Sequence, residues 1–330
     1  MPLTTGLHNI PADDYHADPC IVPSLSKSIA HTLLTKSPLH AWYDHPRLNP
    51  HYKGEDSSRF DLGTAAHYLL LCGSDARIAV VDADNWMTKA AKAQRDEARA
   101  NGLVPILAKH NLALNAMVRA AKKAIAASEW HDVFKAGKPE QTLIWREGET
   151  WCRSMIDWLT DDHQIILDYK TTENANPEAW ARGHVSQLGY DIQAEFYPRG
   201  MYRVFGKKPL FVFLVQEISP PFACSFVCLD EPMREIADGK IERALVKWGN
   251  CMKSGKWPGY PAQTCLVSPT AWQLAEHEQW KAIDDLEIKP GDVPPVHHMS
   301  DEDAQLSMFA GGKKTDRPVA FKELQDALRG

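Results

Sequence analysis

The segment "IILDYKTT", residues 165 to 172, places Asp168 and Lys170 two positions apart at the end of an apolar run. Side chains alternate along a strand, so this carboxylate and this ammonium share a face. A second aspartate, Asp157, lies in the preceding apolar segment "TWCRSMIDWLT". If the two segments are neighbouring strands, both carboxylates converge beside the lysine. Two carboxylates in a partly buried place repel each other and need a cation to stay ionised. A divalent ion supplies that charge. Oxygen ligands suit Mg²⁺ or Mn²⁺, which keep waters that a phosphate can displace. A lysine beside such an ion can orient an attacking water and offset charge building on phosphorus. The set suits phosphodiester hydrolysis. In isolation a DxK triplet is more simply a strand-end ion pair, so the surrounding elements must decide.

Those elements follow a definite order. "EQTLIWRE", a turn at Gly148 and Glu149, "TWCRSMIDWLT", a second turn and "QIILDYK" form a three-strand meander. Upstream, Ser24 or Ser26 caps a short helix that reaches Pro38, and "RFDLGTAAHYLLLCG" is an apolar helix with His67 at its middle and Gly73 as its stop. A short strand is expected at residues 77 to 83. Two Ala-, Lys- and Arg-rich helices then make an inserted helical layer over about residues 85–128. Downstream, "SQLGYDIQAEFYPRGMYRVFG" has helical spacing with a kink expected at Pro198. "PLFVFLVQEIS" and "FACSFVCLD" are strands, and "MREIADGKIERALVKWGNCMKSG" is an amphipathic helix.

On these residues the chain resembles the PD-(D/E)xK nuclease superfamily, whose core runs helix, three strands, helix, strand, with "MID" and "LDYK" in the expected places. "GTAAHYLL" resembles the GxxxH helix of the RecB-type branch, with Gly63 and His67 as the matching positions. "QAEFY" resembles its QxxxY helix, with Gln193 and Tyr197 one turn apart. With the flanks "SLSKSIAHTLLTKSPLHAWY" and "FVFLVQEISPPF", the match narrows to the RecE-like exonuclease VIII family of phages and prophages, over about residues 7 to 260. Two departures are Ile156 in place of the proline that gives the superfamily its name, and Pro198 directly after the QxxxY tyrosine.

The resemblance implies an α/β, restriction-endonuclease-like core with a helical insertion and a flexible C-terminal tail. It implies that His67, Asp157, Asp168 and the carbonyl of Tyr169 hold Mg²⁺ or Mn²⁺, and that Lys170 positions the nucleophilic water. Gln193 and Tyr197 steady the lysine or the scissile strand. Ser26 and Thr171 are weaker candidates for phosphate contacts, and Glu140 stands where some relatives carry a further acidic group. The implied activity is a 5′ to 3′ exonuclease on duplex DNA ends that leaves a 3′ single strand for an annealing partner, with a homo-oligomer by analogy. Two alternatives stand beside it: a RecB-type single-strand nuclease of the CRISPR adaptation kind, and a DNA-end-binding recombination scaffold without turnover.

Composition is compatible with this. The chain has 330 residues, 44% of them hydrophobic and 24% charged, with a net charge of −6, which a local basic groove could still contradict. No apolar run approaches a membrane span and the N-terminus has no signal-peptide pattern, so a cytoplasmic protein of a bacterial host is expected. Seven scattered cysteines are expected to be reduced thiols, the CxxxC of Cys224 and Cys228 being a weaker metal candidate. There is no GxxxxGK[ST] for ATP-driven unwinding, and "HEQW" lacks the second histidine of a zinc-protease motif. The expected division is a nuclease domain over 1–285 and a tail over 286–330. In the tail, "AQLSMFAGG" resembles the peptide by which DNA-processing proteins dock on the bacterial sliding clamp, with Gln305, Leu306, Met308 and Phe309 matching.

Overall fold

The computed structural model describes residues 2–52 and 61–285. The tail from 286 onward, with the candidate peptide at Gln305, Leu306, Met308 and Phe309, lies outside the described residues. In chain order the elements are β1 (Gly6–His8), α1 (Ala12–His16), β2 (Leu25–Ser26), α2 (Lys27–Thr35), α3 (Pro38–Tyr43) and α4 (Asp61–His67), which runs into a π-helical turn (Tyr68–Cys72). Then come β3 (Ile78–Val81), α5 (Lys89–Ala100), β4 (Val104–Leu107) and α6 (Ala108–Ala126), followed by the meander of β5 (Gly137–Glu147), β6 (Thr150–Thr160) and β7 (Ile165–Thr172). The chain continues through α7 (Pro177–Trp180), α8 (Tyr190–Phe205), β8 (Leu210–Glu217), β9 (Cys224–Val227), α9 (Glu231–Ser254) and α10 (Ala271–Asp285). Two compact units are distinguished, Met1–Tyr260 and Pro261–Gly330, and α10 belongs to the second.

The central sheet has the order β1-β5-β6-β7-β8-β9, with β2 added beside β6. The meander pairs antiparallel, whereas β8 lies parallel to β7 because α8 carries the chain back across one face. This is the restriction-endonuclease-like order of helix, three strands, helix, strand. Alternation on β8 separates two cores. Phe211, Phe213 and Val215 face a cluster with α2, α8 and α9, while Leu214 faces a cluster built by α4 and α6.

The insertion differs from an all-helical layer. Between α5 and α6, Val104–Leu107 forms a strand parallel to β3, so β3, α5 and β4 make a βαβ unit. A Pro-containing run of four residues between two strong helices carries almost no period-2 signal, which is why the strand is hard to see in sequence. Helix α6 packs on the sheet through buried Leu114, Met117, Val118 and Ala121. Gln216 ties it down, donating from Nε2 to the Met117 carbonyl (2.9 Å) while its Oε1 accepts from the Tyr169 hydroxyl.

Helix α8 contains Pro198 without a break, although proline cannot donate to the carbonyl one turn back. Its length is secured by packing and charge. Phe196, Tyr197 and Met201 are buried, and Glu147 at the end of β5 takes Arg199 (2.8 Å) and Arg203 (3.0 Å) from the following turns. Arg199 also meets Asp238 of α9 at 2.9 Å, which fixes how α8 and α9 face each other. No described helix is long and apolar enough to cross a membrane.

Candidate active site

The site forms where β6 and β7 part. Their ladder holds Leu159 opposite Ile166 and Trp158 opposite Leu167, and then stops. One step further the same register sets Asp157 opposite Asp168. No backbone bridge forms there. Instead the Tyr169 N–H, released from the ladder, donates to Asp157 Oδ2 at 3.0 Å. A strand residue directs its N–H and C=O to the same edge, so the Tyr169 carbonyl borders the same gap. On the other side of β6, the pairs Pro139–Trp158 and Gln141–Ile156 bracket Glu140, which lies in register with Asp157 and has φ 50. Glu140, Asp157 and Asp168 thus form an acidic row across three strands.

Cations reach this row from both sides. From one side, α4 brings His67, whose Nε2 is 3.4 Å from Asp157 Oδ2. The spacing of Gly63 and His67 has a steric basis: a Cβ on Gly63 would lie 2.6 Å from Thr171 Oγ1, so only glycine lets α4 approach β7 this closely. From the other side, Lys170 forms an ion pair with Asp168 Oδ1, and Gln193 Nε2 from α8 donates to Oδ2. Asp168 is fully buried.

The electrostatics follow from this pairing. Burial works against ionising Asp157, yet the charge and hydrogen bond of His67, with help from Lys170 and the Tyr169 N–H, hold its pKa below the usual carboxylate range. Asp168 goes the other way: burial and the charge of Asp157 push it up, more than Lys170 offsets. Burial disfavours the charged forms of Lys170 and His67, but the aspartates outweigh it and both bases are raised. Each aspartate thus has a counter-charge of its own, and Asp168 is the one whose ionisation is incompletely supported.

The raised Asp168 is a test of fit for a divalent ion, whose charge would favour the carboxylate form. The donor types suit a small hard cation: two carboxylates, a carbonyl at the ladder gap and an imidazole. Asp168 Oδ1 is buried and has the Lys170 ammonium beside it but no well-directed hydrogen bond, so one lone pair is unspent. Among the described residues no three His, Cys, Asp or Glu side chains are already gathered round a common point. The residues fit by charge and chemistry, with His67 and Lys170 as the internal counter-charges of the metal-free protein. Cys224 and Cys228 belong to no such group either, and all seven cysteines are free thiols.

The remaining expected site residues have partners of their own. Thr171 shares the face of Tyr169, opposite to Asp168 and Lys170, and packs on Gly63. Ser26 is the buried N-cap of α2, accepting from the Ile29 N–H at 3.4 Å. Tyr197 is buried in the α8 core with its ring edge-on to Phe211 at 5.9 Å. Glu140 is 3.9 Å from Arg77, whose guanidinium also lies over Tyr68.

Two features escape sequence reasoning. Lys27 and Lys170 both approach the ring of Tyr190, at 4.9 and 5.2 Å from its centroid. Lys27 also donates to the Leu188 carbonyl at 2.9 Å, and burial with the nearby Lys170 charge lowers its pKa to about 8. The adjacent N-cap serine was the one available signal. The second feature is a buried clamp under β2: Asp18 accepts from the Ser24 N–H (2.8 Å) and hydroxyl (2.7 Å), while Arg153 of β6 donates to the Ser24 carbonyl at 2.9 Å and stands 3.4 Å from Asp18. This clamp holds the start of α2, and with it Lys27, against the strand that carries Asp157.

Comparison with known proteins agrees with this architecture. Among solved structures, a "putative exonuclease" from Eubacterium rectale superposes with a TM-score of 0.50 at 12% sequence identity, covering 80% of this chain and 96% of that one. At that identity the likeness speaks to the fold. No curated protein matches the sequence. The family model described as a PDDEXK-like domain of unknown function (DUF3799) matches residues 34–267, most of the chain, and the protein belongs to that family.

Proposed function

We propose that the protein is a metal-dependent nuclease that hydrolyses phosphodiester bonds in DNA. The observation that carries this reading is the placement of Asp157 opposite Asp168 where β6 and β7 part, with Lys170 on one carboxylate and His67 on the other. Asp157, Asp168, His67 and the Tyr169 carbonyl would hold Mg²⁺ or Mn²⁺, which when bound would polarise the phosphate and acidify a water. Lys170, beside Asp168, orients the attacking water and faces the charge that develops on phosphorus. Gln193 keeps the Asp168 carboxylate in one orientation through its hydrogen bond. Tyr169 does the same for Asp157 through its backbone N–H.

The finer reading is a 5′ to 3′ exonuclease of the RecE-like kind, acting on duplex ends in a bacterial cytoplasm and handing a 3′ single strand to an annealing protein. It rests on the motif order and flanks in the sequence. The test is digestion of linear duplex labelled separately at its 5′ and 3′ ends, with Mg²⁺ or EDTA, by wild type and Lys170→Ala. Mg²⁺-dependent release of 5′ label that disappears in the variant is the expected result. Undiminished turnover by Lys170→Ala would remove the lysine from the mechanism, and release of 3′ label first would reverse the polarity. Intact duplex with persistent end binding would favour a scaffold without turnover.

A further inference from the structure

The net charge of −6 conceals a strongly segregated helix. On α9, Asp238 and Glu242 turn towards Arg199 of α8. Lys240, Arg243 and Lys247 recur at i, i+3 and i+7, which puts them on a different face, directed at α2. There they line a cavity of about 250 Å³ together with His31 and Thr35 of α2 and Ser186 before α8. Lys240 is paired with Asp191. Among the described residues no carboxylate is placed to pair with Arg243 or Lys247, both of which are exposed. Two unneutralised cations, hydroxyls and a ring nitrogen make a concave surface whose chemistry is that of a phosphate subsite.

The cavity also connects to the acidic row. Lys27 and His31 stand one turn apart on α2. Lys27 shares the Tyr190 ring with Lys170, and burial with the Lys27 charge lowers the pKa of His31, against the opposing charge of Asp191. The floor between them is set by Gly189, the left-handed residue (φ 67) that starts α8: a Cβ there would sit 2.7 Å from the His31 ring, so the backbone can lie against α2 only as glycine. The His31 Nε2 is buried and without a hydrogen-bond partner. A line of cations thus runs from Lys170 through Lys27 to Lys240, Arg243 and Lys247, with the His31 imidazole between Lys27 and Lys240. Phosphates recur along a nucleic-acid strand, and a line of cations leading away from a hydrolytic centre complements that recurring charge.

We propose that this line is the path of the DNA strand cleaved at Asp157, Asp168 and Lys170, and that the α2–α9 cavity seats one of its backbone phosphates. The proposal rests on the nuclease reading for its starting point. It concerns residues outside the reacting centre, so the two can fail separately.

The test compares wild type with Arg243→Ala/Lys247→Ala, a pair of exposed substitutions whose folding is checked by circular dichroism. Binding of fluorescein-labelled single-stranded oligonucleotides of increasing length is followed by anisotropy in EDTA, over a range of salt. Hydrolysis of bis(p-nitrophenyl) phosphate with Mn²⁺, a diester too small to reach α9, is measured in parallel. The expected result is about a tenfold or greater loss of affinity for the longer oligonucleotides. Losing the phosphate seated in the cavity should also lower the slope of log K against log salt by about 0.7. Small-diester hydrolysis should be unchanged. Wild-type affinity and slope in the variant would overturn the path. So would binding of inorganic phosphate at the cavity with no gain in affinity as oligonucleotides lengthen, which would make it a site for free anions. If wild type hydrolyses no diester, the nuclease reading fails, and loss of oligonucleotide binding in the variant would still support the path.

Discussion

Substituting Gly63→Ala tests the contact that delivers His67 to the site. The added Cβ would lie 2.6 Å from Thr171 Oγ1 but 3.7 Å from Thr171 Cβ and Cγ2, so the conflict is with the hydroxyl alone. Overpacking of this kind costs about 1–3 kcal/mol. Against it, alanine in a helix is worth about 1 kcal/mol more than glycine. In the wild-type background the net loss should be about 1 kcal/mol. When Thr171→Ala removes the hydroxyl, the same Gly63→Ala change should stabilise by up to about 1 kcal/mol. The two substitutions should therefore couple by about 2 kcal/mol, well above the scatter expected of independent sites. Urea unfolding of the four proteins of this cycle reads the coupling directly, provided the m-value stays constant. Additivity within about 0.5 kcal/mol would refute the idea that glycine at 63 exists to bring α4 onto β7. A functional readout goes with it: displacement of α4 should weaken metal binding through His67, and Thr171→Ala should restore it.

Metal itself should stabilise the protein. Mg²⁺ or Mn²⁺ at about a hundred times its dissociation constant should add about 2.7 kcal/mol, seen as a rise in Tm that Asp157→Ala and Asp168→Ala abolish and Lys170→Ala retains; a wild-type Tm indifferent to either ion would count against the metal site. The clamp under β2 predicts an acid limb. Burial opposes ionisation of Asp18, but the bonds from His45 and Ser24 and the charge of Arg153 bring its pKa down to about 2 from the ordinary 3.8. A pKa lowered in the folded state contributes stability above the unfolded value and loses it as pH falls through the folded one. The advantage of wild type over Asp18→Asn should therefore shrink by about 2 kcal/mol between pH 5 and pH 2. Chemical unfolding at a series of pH values measures that gap, and a gap independent of pH would show that Asp18 does not act through its charge.

Much of the site was legible because its signals are local. Alternation alone puts Asp168 and Lys170 on one face of β7, and the one-turn spacing of "QAEFY" places Gln193 on a helix downstream of that strand. The serine before α2 caps its helix as its side-chain chemistry requires. The short strand β4 was not legible, since its pairing with β3 is formed across an entire helix. Tyr197 shows the limit of spacing arguments: one turn from Gln193, it is committed to the core, while Gln193 reaches Asp168.

The sequence by itself determined the order of the core helix, meander, helix and strand, the apolar runs and the residue types able to hold a cation and activate water. These depend on periodicities of 2 and 3.6 residues, which any stretch of chain expresses without its partners. Only the tertiary structure decided where the β6–β7 ladder ends and which counter-charge each aspartate takes. It also set the basic face of α9 beside α2. Each of these is a relation between segments far apart in the chain. Register, close approach and charge neutralisation are properties of the packed pair and cannot be read from either member alone.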